Sequence, residues 1–291
     1  ACTVSVDDPQ ETTTTLQPVA DVSTTQQDEV PILPDDGSDP PCLQGDRPFS
    51  SAGVISAFGG AGGDAAQISG IRTGLHVACE RIVVDLLTSD GAPAGSLGLV
   101  GVDYNETVGV VRIKLPPAVT RTAIADIRFD GELADRAFVV ETLAGALALD
   151  IHVVPGAAVA LRAFEVASPS RIVVDLRPDP DSDTTVGAAF APDVVVVAPP
   201  QDAGGVPLVV AGYARTKSPL IELRIHENRE ADPFAIESAV IAQSAESWGE
   251  IEGTCHAPPR GSADLHVGPD QAGLWMRVDN GPLQILGGED A

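Results

Sequence analysis

The chain has 291 residues, 44% of them hydrophobic and 4% aromatic, and its 42 acidic side chains outnumber 17 basic ones for a formal net charge of -25. A field of that sign repels phosphate backbones and anionic lipid headgroups, which argues against nucleic acid as a partner. The length accommodates two domains of ordinary size, the 29 Gly and 24 Pro point to a turn-rich chain, and no apolar run reaches the roughly eighteen residues of a spanning helix.

Residues 1–41 read as a disordered acidic tail. Between Cys2 and Pro41 stand nine acidic residues, no Lys or Arg, and the run Thr12 to Thr15, the composition of a self-repelling, extended spacer. A small residue, Ala1, followed by Cys2 and a Thr-, Ser- and Asp-rich stretch resembles the end of a bacterial lipobox. That resemblance implies an exported, extracytoplasmic lipoprotein whose leader has been removed, with Cys2 as the point of lipid attachment. The plainer alternative is a free thiol near the start.

Residues 42–178 read as a first β domain. From Ile68 to Leu87 short Val- and Ile-rich runs are bounded by Gly70, Gly74 and Gly91, which are strand signals. Arg81-Ile-Val-Val-Asp85-Leu returns letter for letter as Arg171-Ile-Val-Val-Asp175-Leu, ninety residues later. That period is too long for a solenoid, so the copies are expected to be equivalent strands opening and closing one sandwich. Apolar residues on both faces place each copy centrally, with its Arg and Asp at the sheet's rim. Between the copies, residues 111–115, 125–129 and 137–143 alternate, and 144–155 is expected as strand, with one short helix as the alternative.

The runs Ile71-Arg-Thr-Gly-Leu-His76, Cys79-Glu-Arg-Ile-Val-Val-Asp85-Leu, Val102-Asp-Tyr104 and Ser170-Arg-Ile-Val-Val-Asp175-Leu resemble the AMIN-like domain of actinobacterial envelope proteins, over about Ser51 to Pro178. The resemblance implies a β domain related to the module that places amidases at the cell wall.

A linker is expected over 179–192, where Asp179, Asp181 and Asp183 precede Thr184-Thr185. A second β pattern then runs over 193–288. It begins at Val194-Val-Val-Val-Ala-Pro-Pro200, continues through Val206 to Arg215 with Gly212 marking a bend or close backbone approach, and alternates over Leu220 to Glu227. Further strands are expected at 263–267, 274–278 and 283–286. Six or seven short strands in this span is the arithmetic of an immunoglobulin-like sandwich. Pro199-Pro200, Pro207-Leu-Val-Val-Ala-Gly212-Tyr-Ala-Arg215 and Ser247-Trp248-Gly249 resemble the immunoglobulin-like domain associated with bacterial spore germination, with a departure at Thr216-Lys-Ser-Pro-Leu220. The fold class expected is all-β, two β-sandwich-like domains in tandem.

An exported chain with four Cys is expected to hold oxidised pairs. If Cys2 carries lipid, one of Cys42, Cys79 and Cys255 is odd, and Cys42 with Cys79 is the pairing expected, pinning the end of the spacer to an early strand; pairings with Cys255 are the alternatives.

Catalytic constellations are wanting. Gly60 to Ala65 has a GxGxxA spacing but no convincing helix behind it, and reads as a flexible loop. Cys255-His256 with His266 matches no zinc spacing, so neither metal nor cofactor is expected. No Gly-x-Ser-x-Gly elbow occurs, His76 and His152 stand on strands without a nucleophile nearby, and Asn105-Glu-Thr107 reads as a turn. The cations Arg72, Arg81, Arg112 and Arg171 are candidate contacts for anionic wall groups, beside the plainer reading that they pair with Glu80, Asp85 or Asp175. The function expected is that of a non-enzymatic envelope lipoprotein, a binding or assembly module for cell-wall glycan, peptide stems or an envelope protein, touching the membrane only through its N-terminal lipid. The alternative is a cell-wall hydrolase, or an accessory subunit of one, with Glu227 and Glu230 as acid and base.

Overall fold

Alternating apolar and polar side chains build strands, and every regular element among the described residues is a β-strand, so the chain is all-β. The computed structural model describes residues 42–280, except 77, 186, 199–207, 217, 228, 234, 243–246, 256–260 and 269–272. The expected tail with Cys2, and the candidate strand 283–286, lie outside the described residues. In chain order the strands are β1 (Gly53–Phe58), β2 (Gln67–His76), β3 (Cys79–Leu87), β4 (Val100–Asn105), β5 (Val110–Lys114), β6 (Arg121–Thr122), β7 (Asp126–Arg128), β8 (Ala134–Glu141), β9 (Leu147–Val153) and β10 (Val159–Val166). There follow β11 (Arg171–Pro178), β12 (Ala189–Ala191), β13 (Val194–Ala198), β14 (Leu208–Ala214), β15 (Leu220–His226), β16 (Ala235–Ile241), β17 (Trp248–Cys255), β18 (Gly261–Val267) and β19 (Leu274–Asn280).

The first core is a sandwich. One layer is a five-stranded sheet in the order β10-β11-β3-β2-β6, and the other is β1-β4-β5-β9-β8 with β7 paired to β8. Ile82, Val84 and Leu86 of β3 and Ile172, Val174 and Leu176 of β11 pack inward with Val102, Ile113, Leu149 and Ile151 of the facing layer, all buried. Each such side chain contributes about 1.5–3 kcal/mol relative to exposure.

The two identical hexapeptides are antiparallel neighbours, with Val173 opposite Val83, Arg171 opposite Asp85 and Asp175 opposite Arg81. Running one sequence antiparallel to itself sets the Arg of each copy against the Asp of the other, so one repeat generates two cross-strand ion pairs. Burial breaks the equivalence. The side chain of Asp85 is 27% exposed and that of Asp175 is 0% exposed, which corrects the expectation that both reach the rim. Two elements account for it. Arg162, opposite Asp175 on β10, brings its Nε within 3.0 Å of Oδ2 while Arg81 Nε lies 2.6 Å from Oδ1. The segment before β1 then closes over them, with Arg162 donating to the carbonyls of Cys42 at 3.2 Å and Gln44 at 2.6 Å. A disulfide joins Cys42 to Cys79 at the start of β3, Cα atoms 6.1 Å apart, and ties that segment down.

The second core is enclosed by β12-β13-β14-β17-β16-β15-β18-β19, hydrogen-bonded in that order. β16 and β17 pair over a short stretch, Val240 opposite Glu252 and Ile241 opposite Ile251, and around that junction Val194, Val196, Val210, Leu223, Ile225, Ile251 and Leu265 are buried together. Gly212 marks a close approach: a Cβ there would collide with the Val195 carbonyl. The 179–192 segment, read above as a linker, carries β12 and packs, with Thr185, Ala188 and Ala189 buried and the Thr185 amide donating to Ala157 O at 3.2 Å. β17 also runs parallel beside β8, Trp248 opposite Val140 and Gly249 opposite Glu141, so strands of both cores belong to one hydrogen-bonded sheet.

Asp85 and Asp175 occupy the same position of an identical hexapeptide, which makes them a matched pair. Asp175→Ala leaves Arg162 buried without its carboxylate and is expected to cost about 3–5 kcal/mol; Asp85→Ala is expected to cost under about 1 kcal/mol. Chemical denaturation of both variants checks this, and equal costs would contradict the assigned burial.

Candidate functional site

Strand alternation sorts the charges of the five-stranded sheet. The register places Arg162 and Phe164 of β10, Arg171, Asp175 and Arg177 of β11, Arg81 and Asp85 of β3 and Arg72 of β2 on the face turned away from the core. Arg47, in the segment before β1, lies 4.7 Å from the Phe164 ring centroid, and Arg177 lies 4.6 Å from that of Phe49. Of the six guanidiniums here, four pair with two carboxylates, Arg81 and Arg162 with Asp175 and Arg72 and Arg171 with Asp85, on a chain whose net charge is -25.

Three of the four cations named from sequence, Arg72, Arg81 and Arg171, meet on this face, each paired with a carboxylate. Arg72 holds Asp85 with two bonds of 2.6 and 3.0 Å, and Arg171 reaches the same carboxylate at 2.9 Å. Asp85 thus serves two guanidiniums, and the Arg72 side chain remains 56% exposed. The hydrogen bond to Asp85 raises the proton affinity of Arg72 further. Arg47, Arg162, Arg177 and Phe164 escaped sequence reasoning. The usable signal was Arg162-x-Phe164, polar-facing positions inside the apolar run 159–166.

Arg112 lies elsewhere, at the seam between the two cores. Its Nε and Nη2 bond Asp150 of β9 at 2.8 and 2.7 Å, and its Nη1 bonds Glu250 of β17 at 2.6 Å. Burial opposes its charge, but the two carboxylates overcome that and raise its proton affinity. Beside it His152 Nε2 bonds the Tyr213 hydroxyl, and Phe138 packs against Tyr213 and Trp248 with centroids 5.2 and 5.0 Å away. Burial, with Arg136 adding to it, lowers the His152 pKa to about 3, and burial raises that of Tyr213. At the edge of the seam opens a cavity of about 350 Å³ lined by Asp126, Arg128, Arg136, Phe138, Phe190 and Trp248 among others.

The remaining candidates are not drawn into either place. His76 is exposed at the end of β2, and Glu227 and Glu230 are exposed after β15. Gly59 and Gly63 lie against the backbone of Leu97 and Gly98, where a Cβ on either would clash, so that glycine cluster is a tight contact. The Asn105 side chain accepts the Val108 amide at 3.4 Å in the turn after β4. His266 is buried against Trp275, 4.7 Å between centroids, whereas His256 and the Cys255 side chain lie outside what is described. Among the described residues no group of His, Cys, Asp or Glu is arranged to hold a metal ion, and no helix is long and apolar enough to cross a membrane. No family model, curated protein or solved structure matches the chain.

The depressed His152 pKa has a pH signature. A group whose folded pKa lies at about 3 against an ordinary 6.5 contributes fully above pH 6.5, and its contribution is lost as pH falls toward 3, by up to about 1.4 kcal/mol per pH unit. Denaturation between pH 7 and about pH 4 is expected to show a fall in stability that is shallower in His152→Phe. Identical slopes would contradict a buried neutral imidazole.

Proposed function

We propose that the chain is a non-enzymatic cell-envelope module that holds anionic groups of cell-wall glycan and its peptide stems on the Arg-rich face of the β10-β11-β3-β2 sheet. It acts outside the cytoplasm, tethered by a lipid on Cys2 through the acidic residues that follow. The observation that carries this reading is the cluster of Arg72, Arg171, Arg81 and Arg162 around Asp85 and Asp175, with Arg47 and Arg177 stacked on rings beside it, in a chain that is otherwise strongly acidic. Guanidinium forks match carboxylate and phosphate geometry, and the Phe49 and Phe164 rings beneath Arg177 and Arg47 orient two of them. The distant acidic surface is screened over about 8 Å at physiological salt, so the local sign of the face governs contact. The AMIN-like pattern over Ser51 to Pro178 and the lipobox-like start support the same assignment.

Arg72, exposed, and Arg171, half-buried, share one carboxylate on the face turned away from the core. Co-sedimentation of the double variant Arg72→Ala/Arg171→Ala with purified cell wall is expected to be about tenfold weaker than that of the parent, with a melting temperature within about 4 °C of it. Parent binding is also expected to weaken as salt rises. Wall binding unchanged in the double variant would refute the assignment of this face.

A further inference from the structure

We infer that the groove at the edge of the seam, bounded by β7, β8, β12 and β17, is a separate binding site for a small ligand carrying one carboxylate beside an apolar or ring-shaped body. The inference stands apart from the basic sheet face, with which the groove shares no residue.

The β7–β8 register sets Arg128 directly opposite Arg136 and Asp126 opposite Phe138, with Ile127 opposite Ala137 between them. Ile127 and Ala137 belong to the first core, so alternation turns the two Arg, Asp126 and Phe138 together toward the groove. Like charges directly opposite in an antiparallel pair destabilise it. Asp135 is the carboxylate shared between them, and it sits 2.5 Å from Arg136 Nε but 3.8 Å from Arg128 Nη2. Arg136 therefore takes most of its charge, and the Arg128 side chain is left 77% exposed at the lip.

The other carboxylate is occupied as well. Asp126 pairs with Arg215 and accepts the Trp248 Nε1 proton at 3.0 Å. The charged side chains that line the groove are Arg128, Arg136 and Asp126, and with Arg215 on Asp126 and Asp135 on Arg136, the exposed Arg128 is the cation that an added carboxylate pairs. The body of such a ligand has a wall to meet. Phe190, Ala191, Pro192 and Trp248 line the same space. The volume of about 350 Å³ is at the small end for ligand pockets, which fits a dipeptide or a single sugar ring rather than a polymer. The Arg136 guanidinium is held 3.9 Å from the Phe190 ring centroid, so one arm of the carboxylate clamp is ordered before binding.

Calorimetric titration of the full chain with N-acetyl-dialanine and its C-terminal amide, and with glucuronic acid and glucose, tests this. At least one acid is expected to bind about tenfold more tightly than its neutral counterpart, and which acid does so distinguishes a peptide terminus from an acidic sugar as the source. That preference is expected to vanish in Arg128→Glu and Arg128→Gln, both on an exposed side chain, and to survive in Arg72→Ala. Neutral and acidic forms binding alike, no acid binding, or an undiminished preference in the Arg128 variants would each overturn the site.

Discussion

Arg112 holds one carboxylate from each core, Asp150 on β9 and Glu250 on β17. Burying such charges costs several kcal/mol per ion unless the geometry returns it, and here three carboxylate oxygens accept three guanidinium bonds with Asp150 almost wholly buried. Around this clamp the parallel β8–β17 pairing, the His152–Tyr213 bond and the Phe138, Phe190 and Trp248 packing fall into place. The groove exists because the seam brings β7 and β8 within reach of β12 and β17.

Charge in this molecule is organised by its minority sign. With 42 acidic side chains available, the structure uses a few buried or half-buried carboxylates to collect guanidiniums. Asp175 gathers Arg81 and Arg162, Asp85 gathers Arg72 and Arg171, and Asp135 lies between Arg128 and Arg136. Each arrangement leaves cations in excess locally. An acidic chain can therefore carry local clusters of cations against its overall sign.

Strand identity was legible in the sequence because it rests on local alternation. The β-rich class, the strand character of each hexapeptide copy and the close approach at Gly212 all come from neighbours a few residues apart, whereas the pairing of the two copies with each other does not. What escaped depends on distant partners. Arg171 and Arg81 look equivalent until Arg162 of a third strand and the disulfide-anchored segment at Cys42 cover one end of the sheet and not the other. Arg112 reads as a surface cation because its second carboxylate, Glu250, lies 138 residues away. Phe190 sits within a stretch whose Asp and Thr residues read as solvent-exposed, yet it stacks on Phe138 with centroids 6.1 Å apart.

Through the ion-pair clamp at the seam the two apolar cores are expected to melt as one body. Differential scanning calorimetry of the full chain beside Arg112→Ala tests it most directly, because the substitution removes the clamp and leaves each core's apolar side chains in place. A single cooperative transition is expected in the parent and two resolved transitions in the variant, the second core melting independently of the first. Two independent transitions already present in the parent, unchanged by Arg112→Ala, would contradict it.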